Sequence, residues 1–181
     1  AMNIAAWKDW NELREKRSAS GELRWILVPY PISADAQEAS MALQEYEDFV
    51  YASCMVDKEN PVKEWNKIRA NQERIFKYLN GVNEIKMIGE DTEITFTAKG
   101  RKWWNKAGIG SMPAGEVYTG PVEDSVNGTV RFSYPLIYLG KELEDITLTF
   151  KSGKVTKARA TKGNDLLHGI LKIKGADRLG E

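Results

Sequence analysis

The chain has 181 residues, 42% of them hydrophobic, with 26 basic and 26 acidic side chains that cancel. That length and apolar content allow a buried core in one domain or two small ones, and the balanced charge, with no long Lys/Arg cluster, argues against a surface that tracks nucleic acid. No apolar run is long enough to span a bilayer, no signal peptide is visible and the single Cys54 excludes an internal disulfide, so the composition reads as that of a soluble, cytoplasmic protein.

Ala1-Met2 reads as a tag remnant and is set aside. From Ile4 to Arg17, the spacing of Ile4, Trp7, Trp10 and Leu13 among charged residues predicts an amphipathic surface helix. Gly21 separates it from Arg24 to Tyr30, an apolar run bounded by Pro29 that reads as a buried strand. A helix followed by a strand is an α/β signature. Two helices follow. In the first, Leu43, Tyr46, Phe49, Val50, Cys54 and Met55 share one side at three-to-four spacing. Asn60-Pro61 then supplies an N-cap and a first-turn proline for a second helix, whose apolar positions run from Val62 and Trp65 to Leu79 before a stop at Asn80-Gly81.

Past Gly81 the period changes from 3.6 to 2, which places a domain boundary there, with residues 1–81 and 82–181 on either side. Asn83 to Ala98 predicts a hairpin turning near Gly89 to Asp91, and further strands are expected at Thr129–Phe132, Ile146–Phe150 and Val155–Ala160. Ser152-Gly153 joins the last two as a two-residue turn, and Asn127-Gly128 reads as another turn. A helix from Gly163 to Leu171 turns Leu166, Leu167, Ile170 and Leu171 inward. The fold class is therefore α+β: the tail of an α/β domain, then a β-rich, largely antiparallel portion with a C-terminal helix.

Chemistry is sparse on composition alone. His168 has no second His or Cys at ligand spacing and reads as a structural residue. Cys54 lies on an apolar helix face and reads as an inert thiol. In Trp103-Trp104, adjacent strand residues face opposite ways, so at most one ring is presented; Glu123 and Asp124 read as a solvated turn. Gly89, Gly108 and Gly110 do not form a phosphate-binding spacing. The ten residues from Met112 to Pro121, MPAGEVYTGP, stand out. Pro113, Gly115 and Pro121 restrict the backbone on both sides of Glu116 and fix the direction of its carboxylate. A Glu at a strand start is ordinarily solvated or paired with a neighbour such as Lys106; a fixed approach suits a metal ligand.

That segment resembles the entry to the catalytic domain in the aminopeptidase T and aminopeptidase S family of metallopeptidases, where Met-Pro-x-Gly-Glu-Val-Phe/Tyr-Thr-x-Pro carries the first metal-binding Glu. Ser111 departs from the Asn that usually precedes Met-Pro there. The likeness continues in order through Val122 to Phe132, Tyr134-Pro135, Leu148 to Val155, Lys162-Gly163 and Leu179-Gly180-Glu181, and upstream through Tyr30 to Ala39 and Gln44 to Trp65. It implies that Glu116 and Glu181 are ligands of a site holding two divalent ions, whether Zn, Co, Mn or Mg. Glu181 is left with two roles there, ligand or general base for the bound water. As the last residue it also carries a main-chain carboxylate.

The resemblance further implies hydrolysis of the N-terminal residue of peptide substrates, a homodimer, no nucleic-acid partner and no membrane. Two His and an Asp that complete the family site fall after Glu181, so the chain is expected to be an internal piece with negligible peptidase activity by itself. The alternative from another class is a non-catalytic binding or dimerisation module that keeps the fold without a complete metal site.

Overall fold

The structure, a computed structural model, describes residues 7–180. Its helical part contains α1 (Lys8–Ala19), β1 (Ile26–Leu27), α2 (Ser33–Glu38), α3 (Leu43–Ser53) and α4 (Pro61–Leu79). Strands follow as β2 (Glu84–Gly89), β3 (Thr92–Thr97), β4 (Trp104–Lys106), β5 (Gly110–Ser111), β6 (Glu116–Tyr118) and β7 (Asn127–Phe132). The chain continues through β8 (Leu136–Tyr138), β9 (Lys141–Leu143), β10 (Ile146–Lys151) and β11 (Lys154–Arg159) to α5 (Asn164–Ile170). The result is α+β, with a mainly antiparallel sheet and a C-terminal helix. Contacts divide it into two compact units, Ala1–Glu73 with Asn105–Glu116, and Arg74–Trp104 with Val117–Glu181. The division falls within α4, ahead of the boundary expected at Gly81.

In the first unit, the Asn60 side-chain oxygen accepts the Lys63 N–H at 2.9 Å, which caps α4 with Pro61 at its first position. Trp65, one turn on, is buried and donates its indole N–H to the Cys54 carbonyl at 2.9 Å. That bond ties α4 to the end of α3, where Val50 and Cys54 are buried as the spacing predicts but Leu43 and Phe49 are exposed. The buried strand expected over Arg24 to Tyr30 is corrected. Only Ile26 and Leu27 pair, in parallel with Gly110 and Ser111, and they remain 58% and 65% exposed. Parallel strands are buried by layers on both faces, and the described part of this unit puts no such layer over β1. Helix α2 forms where no helix was expected, and its SADAQE run has no β-branched residue to oppose it. The helix expected from Ile4 to Arg17 forms as α1, but Trp10 and Leu13 on it and Trp7 just before it are exposed, so the apolar side that their spacing predicted is not covered among the described residues; Ile4 lies outside those residues.

The second unit is built on an antiparallel sheet of order β11-β10-β7-β3-β2. The β2–β3 hairpin turns at Glu90 and Asp91, the latter at φ 49°, while Ser152 and Gly153 turn β10 into β11 at φ 49° and 77°. Two central positive φ angles make the tight hairpin turn that matches strand twist. Asn127-Gly128, expected as a turn, instead starts the middle strand, where Gly128 pairs with both Ile94 and Phe150. With φ 117° and the Glu93 carbonyl in the place a Cβ would take, only glycine fits there. One face packs Leu143, Ile146 and Ala160 against Leu167 of α5, and Ile94, Val126 and Phe150 form a second cluster that Leu179 joins. Leu148 touches both. Gly128→Ala is therefore expected to cost at least about 2 kcal/mol, because strained φ and overpacking each carry penalties of that order. Urea unfolding of the two proteins checks it, and equal midpoints would contradict the close approach.

Candidate functional site

The segment carrying Glu116 is anchored before and after it. On the approach, β5 pairs with β1 and the Met112 N–H donates to the Leu27 carbonyl at 2.9 Å. Gly108 lets this stretch pass close to the Trp65 ring, 3.4 Å from where a Cβ would stand, and Gly115 faces the buried Gln72. The Met112-Pro113 peptide is cis. On the exit, the Thr119 hydroxyl is buried and donates to the Lys102 carbonyl at 2.9 Å, Pro121 is buried, and the Val122 N–H donates to the Thr97 carbonyl at 2.9 Å. Between these anchors β6 pairs with β4. Glu116 opens β6 with its side chain exposed and has no hydrogen-bond or ion-pair partner among the described residues.

Glu181 lies outside the described residues, but the run that leads to it does not. The Gly180 carbonyl lies 3.0 Å from the position a Cβ on Gly120 would occupy. Leu179 packs against the cluster of Ile94, Val126 and Phe150, the Asp177 carbonyl accepts the Val155 N–H at 2.9 Å, and Arg178 donates to the Glu123 carbonyl at 3.0 Å. The Leu-Gly run is thus laid beside the residues that follow β6. Among the described residues, no three or more His, Cys, Asp or Glu gather where they could share an ion.

Glu123 is more than the solvated turn expected. Its carboxylate is bonded by the Arg101 guanidinium. Its own backbone N–H, then Arg101 and Arg178, hold its pKa below the ordinary Glu value. This Arg101–Glu123–Arg178 chain had no sequence signal, since its members are separated by 22 and 55 residues. The other singled-out residues take their plain roles. His168 is exposed on α5, Trp103 is buried while Trp104 is 40% exposed beneath the Lys102 ammonium, and burial pushes the Cys54 thiol up. No helix among the described residues is long and apolar enough to cross a membrane.

The family of thermophilic metalloproteases (M29) matches the chain over residues 1–181. Aminopeptidase 2 of Geobacillus stearothermophilus is 31% identical across 87% of this chain and 42% of its own length. Aminopeptidase T of Thermus thermophilus is 30% identical across 87% of this chain and 43% of its own length. Among solved structures, wild-type AmpT from Thermus thermophilus superposes with a TM-score of 0.65 at 25% identity, over 75% of this chain and 36% of that one. The chain therefore spans less than half the length of these relatives.

The lowered pKa of Glu123 has a sign. A carboxylate whose pKa is depressed on folding contributes stability above its unfolded pKa of about 4.3 and loses it as pH falls through the folded value. Glu123→Gln is expected to flatten the dependence of melting temperature on pH below about pH 4.5 and to leave a smaller loss near neutrality from the broken Arg101 bond. Parallel acid-melting curves for the two proteins would contradict the assignment.

Proposed function

Because the chain belongs to the thermophilic metalloprotease (M29) family, we propose that it is a portion of a cytoplasmic, metal-dependent aminopeptidase that removes the N-terminal residue of peptides. In this reading residues 1–81 end an α/β domain and residues 82–181 begin the catalytic domain, with Glu116 and Glu181 among the ligands of two divalent ions. One observation carries it: Glu116, exposed and unpaired among the described residues, stands on a segment anchored at Met112, Thr119 and Val122, and Gly180 packs onto Gly120 of that same segment.

The donors fit the group in kind. Carboxylate oxygens accept Zn, Co, Mn or Mg. When bound, such ions polarise a scissile carbonyl and lower the pKa of a coordinated water. The chain's own part is orientation. The Thr119 and Val122 bonds fix the backbone that follows Glu116, so an ion has the side-chain torsions of Glu116 left to order. Glu181 contributes either a second ligand or the base that takes a proton from the bound water.

A ligand that binds only the folded state raises its stability, by about 2.7 kcal/mol when present at a hundred times its Kd. Thermal unfolding of this chain with Mn or Co is expected to shift upward. Glu116→Gln removes the shift, and Glu181→Gln reduces it to whatever the main-chain carboxylate retains. Leucyl p-nitroanilide is expected to be turned over negligibly throughout, because the remaining family ligands are not among these residues. Melting that ignores both metal and Glu116→Gln would overturn the metal role.

A second reading, a binding or dimerisation module, is favoured by one feature of the second unit. A cavity of about 530 Å³ opens between the sheet and α5, lined by Phe132, Tyr134, Leu136, Leu167, Ile170 and Leu171. Beside it the β8–β9 hairpin exposes Ile137 at 50% and, at its turn, Leu139 at 83% and φ 51°. A Leu in that conformation is strained and unburied. If a second copy covers it, Leu139→Asp is expected to turn a sedimenting dimer into a monomer. A wild-type monomer at all concentrations would remove this reading.

A further inference from the structure

The chain contains Asn-Gly at two places, Asn80-Gly81 and Asn127-Gly128, both within the second unit. In this dipeptide the main chain most readily attacks its own side chain. Glycine has no Cβ to shield its nitrogen, and bonding that nitrogen to the asparagine carboxamide carbon closes a small, unstrained ring. Whether the ring closes depends on what holds the two groups apart, and the structure treats the two pairs differently.

Asn127 is locked. Its side-chain oxygen accepts the Ser152 N–H at 2.9 Å, and its side-chain nitrogen donates to the Ser125 carbonyl at 2.9 Å. Its backbone pairs with Thr95, and Gly128 pairs with both Ile94 and Phe150 in the middle of the sheet. Swinging the carboxamide onto the Gly128 nitrogen breaks both side-chain bonds and parts β7 from its neighbours, an opening on the scale of global unfolding.

Asn80 is held only by the end of its own helix. Asn80 and Gly81 are exposed, directly after the last residue of α4. The main-chain and side-chain nitrogens of Asn80 both donate to the Phe76 carbonyl, at 3.0 and 3.1 Å, and the Gly81 N–H donates to the Tyr78 carbonyl at 3.1 Å. Tyr78 is itself 74% exposed. These bonds open when the end of α4 frays, and helix ends fray at little cost.

We propose that Asn80 is a site of spontaneous covalent modification, converting to aspartate and isoaspartate in the folded protein while Asn127 does not. The Gly81 nitrogen gives its proton to a solvent base and bonds to the Asn80 side-chain carbon; the carbon–nitrogen bond of the carboxamide breaks, and ammonia leaves with a proton taken from water. Water then opens the resulting succinimide. Opening at the former side-chain carbonyl gives aspartate, and opening at the main-chain carbonyl gives isoaspartate, with an extra CH2 in the backbone. Both products put a negative charge at the C-terminus of α4, where the helix carbonyls disfavour it. Isoaspartate also lengthens a link that is fixed at both ends, between α4 and Asn83, whose carbonyl accepts the Ala98 N–H and the Thr97 hydroxyl at 2.7 Å each. The melting temperature therefore falls as the modification accumulates.

The test holds the chain at mildly alkaline pH, below its melting temperature, and digests samples with trypsin over days. Cleavage after Lys77, Lys86, Lys106 and Arg131 puts the two pairs in separate peptides, 78–86 and 107–131. In the folded chain, 78–86 is expected to gain the acid form at Asn80, separated from Asn83 by fragmentation, and to accept methyl groups from an isoaspartyl carboxyl methyltransferase, while 107–131 keeps its amide. In urea both peptides convert at similar rates. Gly81→Ala, whose Cβ would meet only the Tyr78 carbonyl at 3.5 Å, is expected to slow the conversion severalfold. Equal conversion of the two peptides in the folded chain would overturn the proposal, as would a 78–86 peptide that stays amidated when folded and converts only in urea. A melting temperature that stays constant as the acid form accumulates would overturn the strain assigned to it.

Discussion

Everything in the second unit hangs on how closely β7 approaches β3. Gly128 brings the two backbones so near that the Glu93 carbonyl fills the place of a side chain. Because Gly128 also pairs with Phe150 of β10, one glycine joins two hairpins into a single sheet. The short link from Pro121 to β7 is then confined. Asn127 accepts the N–H of Ser152 and Ser125 accepts that of Thr97, so the Val122–Ser125 turn is held against both hairpins. Gly153 continues the theme, for its missing Cβ leaves room for the Glu123 carbonyl. The rigidity available to the exit of the Glu116 segment originates in these backbone approaches rather than in its own three-residue strand.

Glu116 closes the first unit. In the second unit many exposed acids meet a cation. Glu93 meets Lys86, Asp145 and Asp91 share Arg131, and Glu142 and Glu144 flank Lys162, whose pKa they raise. Such surface pairs contribute little each. Glu116 has no such pair among the described residues.

Much of the fold could be read from residue patterns because the signals were local. Asn60-Pro61 announced the start of α4, alternation over Asn83 to Ala98 announced the first hairpin, and Ser152-Gly153 announced the second. The misreadings are long-range. Asn127-Gly128 has the composition of a turn, yet the φ of Gly128 is used for strand packing, which depends on Glu93, distant in sequence. The apolar run at Ile26 has the composition of a core strand but not the neighbours. Strands of two or three residues, such as β4, β5 and β6, are too short to show a period at all. Glu116 was visible as chemistry through its flanking prolines and its family likeness, whereas Arg178 had no signal, since a side chain bonding a carbonyl leaves no mark on either sequence.

The two rims of the five-stranded sheet differ in their exposure to unwanted self-assembly. An open strand edge offers unpaired N–H and C=O groups to any other chain, and natural sheets blunt such edges with charge. Strand β11 carries Lys154, Lys157 and Arg159 along its six residues. Strand β2, at the opposite rim, has Lys86 but then exposes Met87 and Ile88 at 53% and 74%. At high concentration fibre-like stacking would therefore nucleate along Met87-Ile88, and the cationic rim would stay solvated.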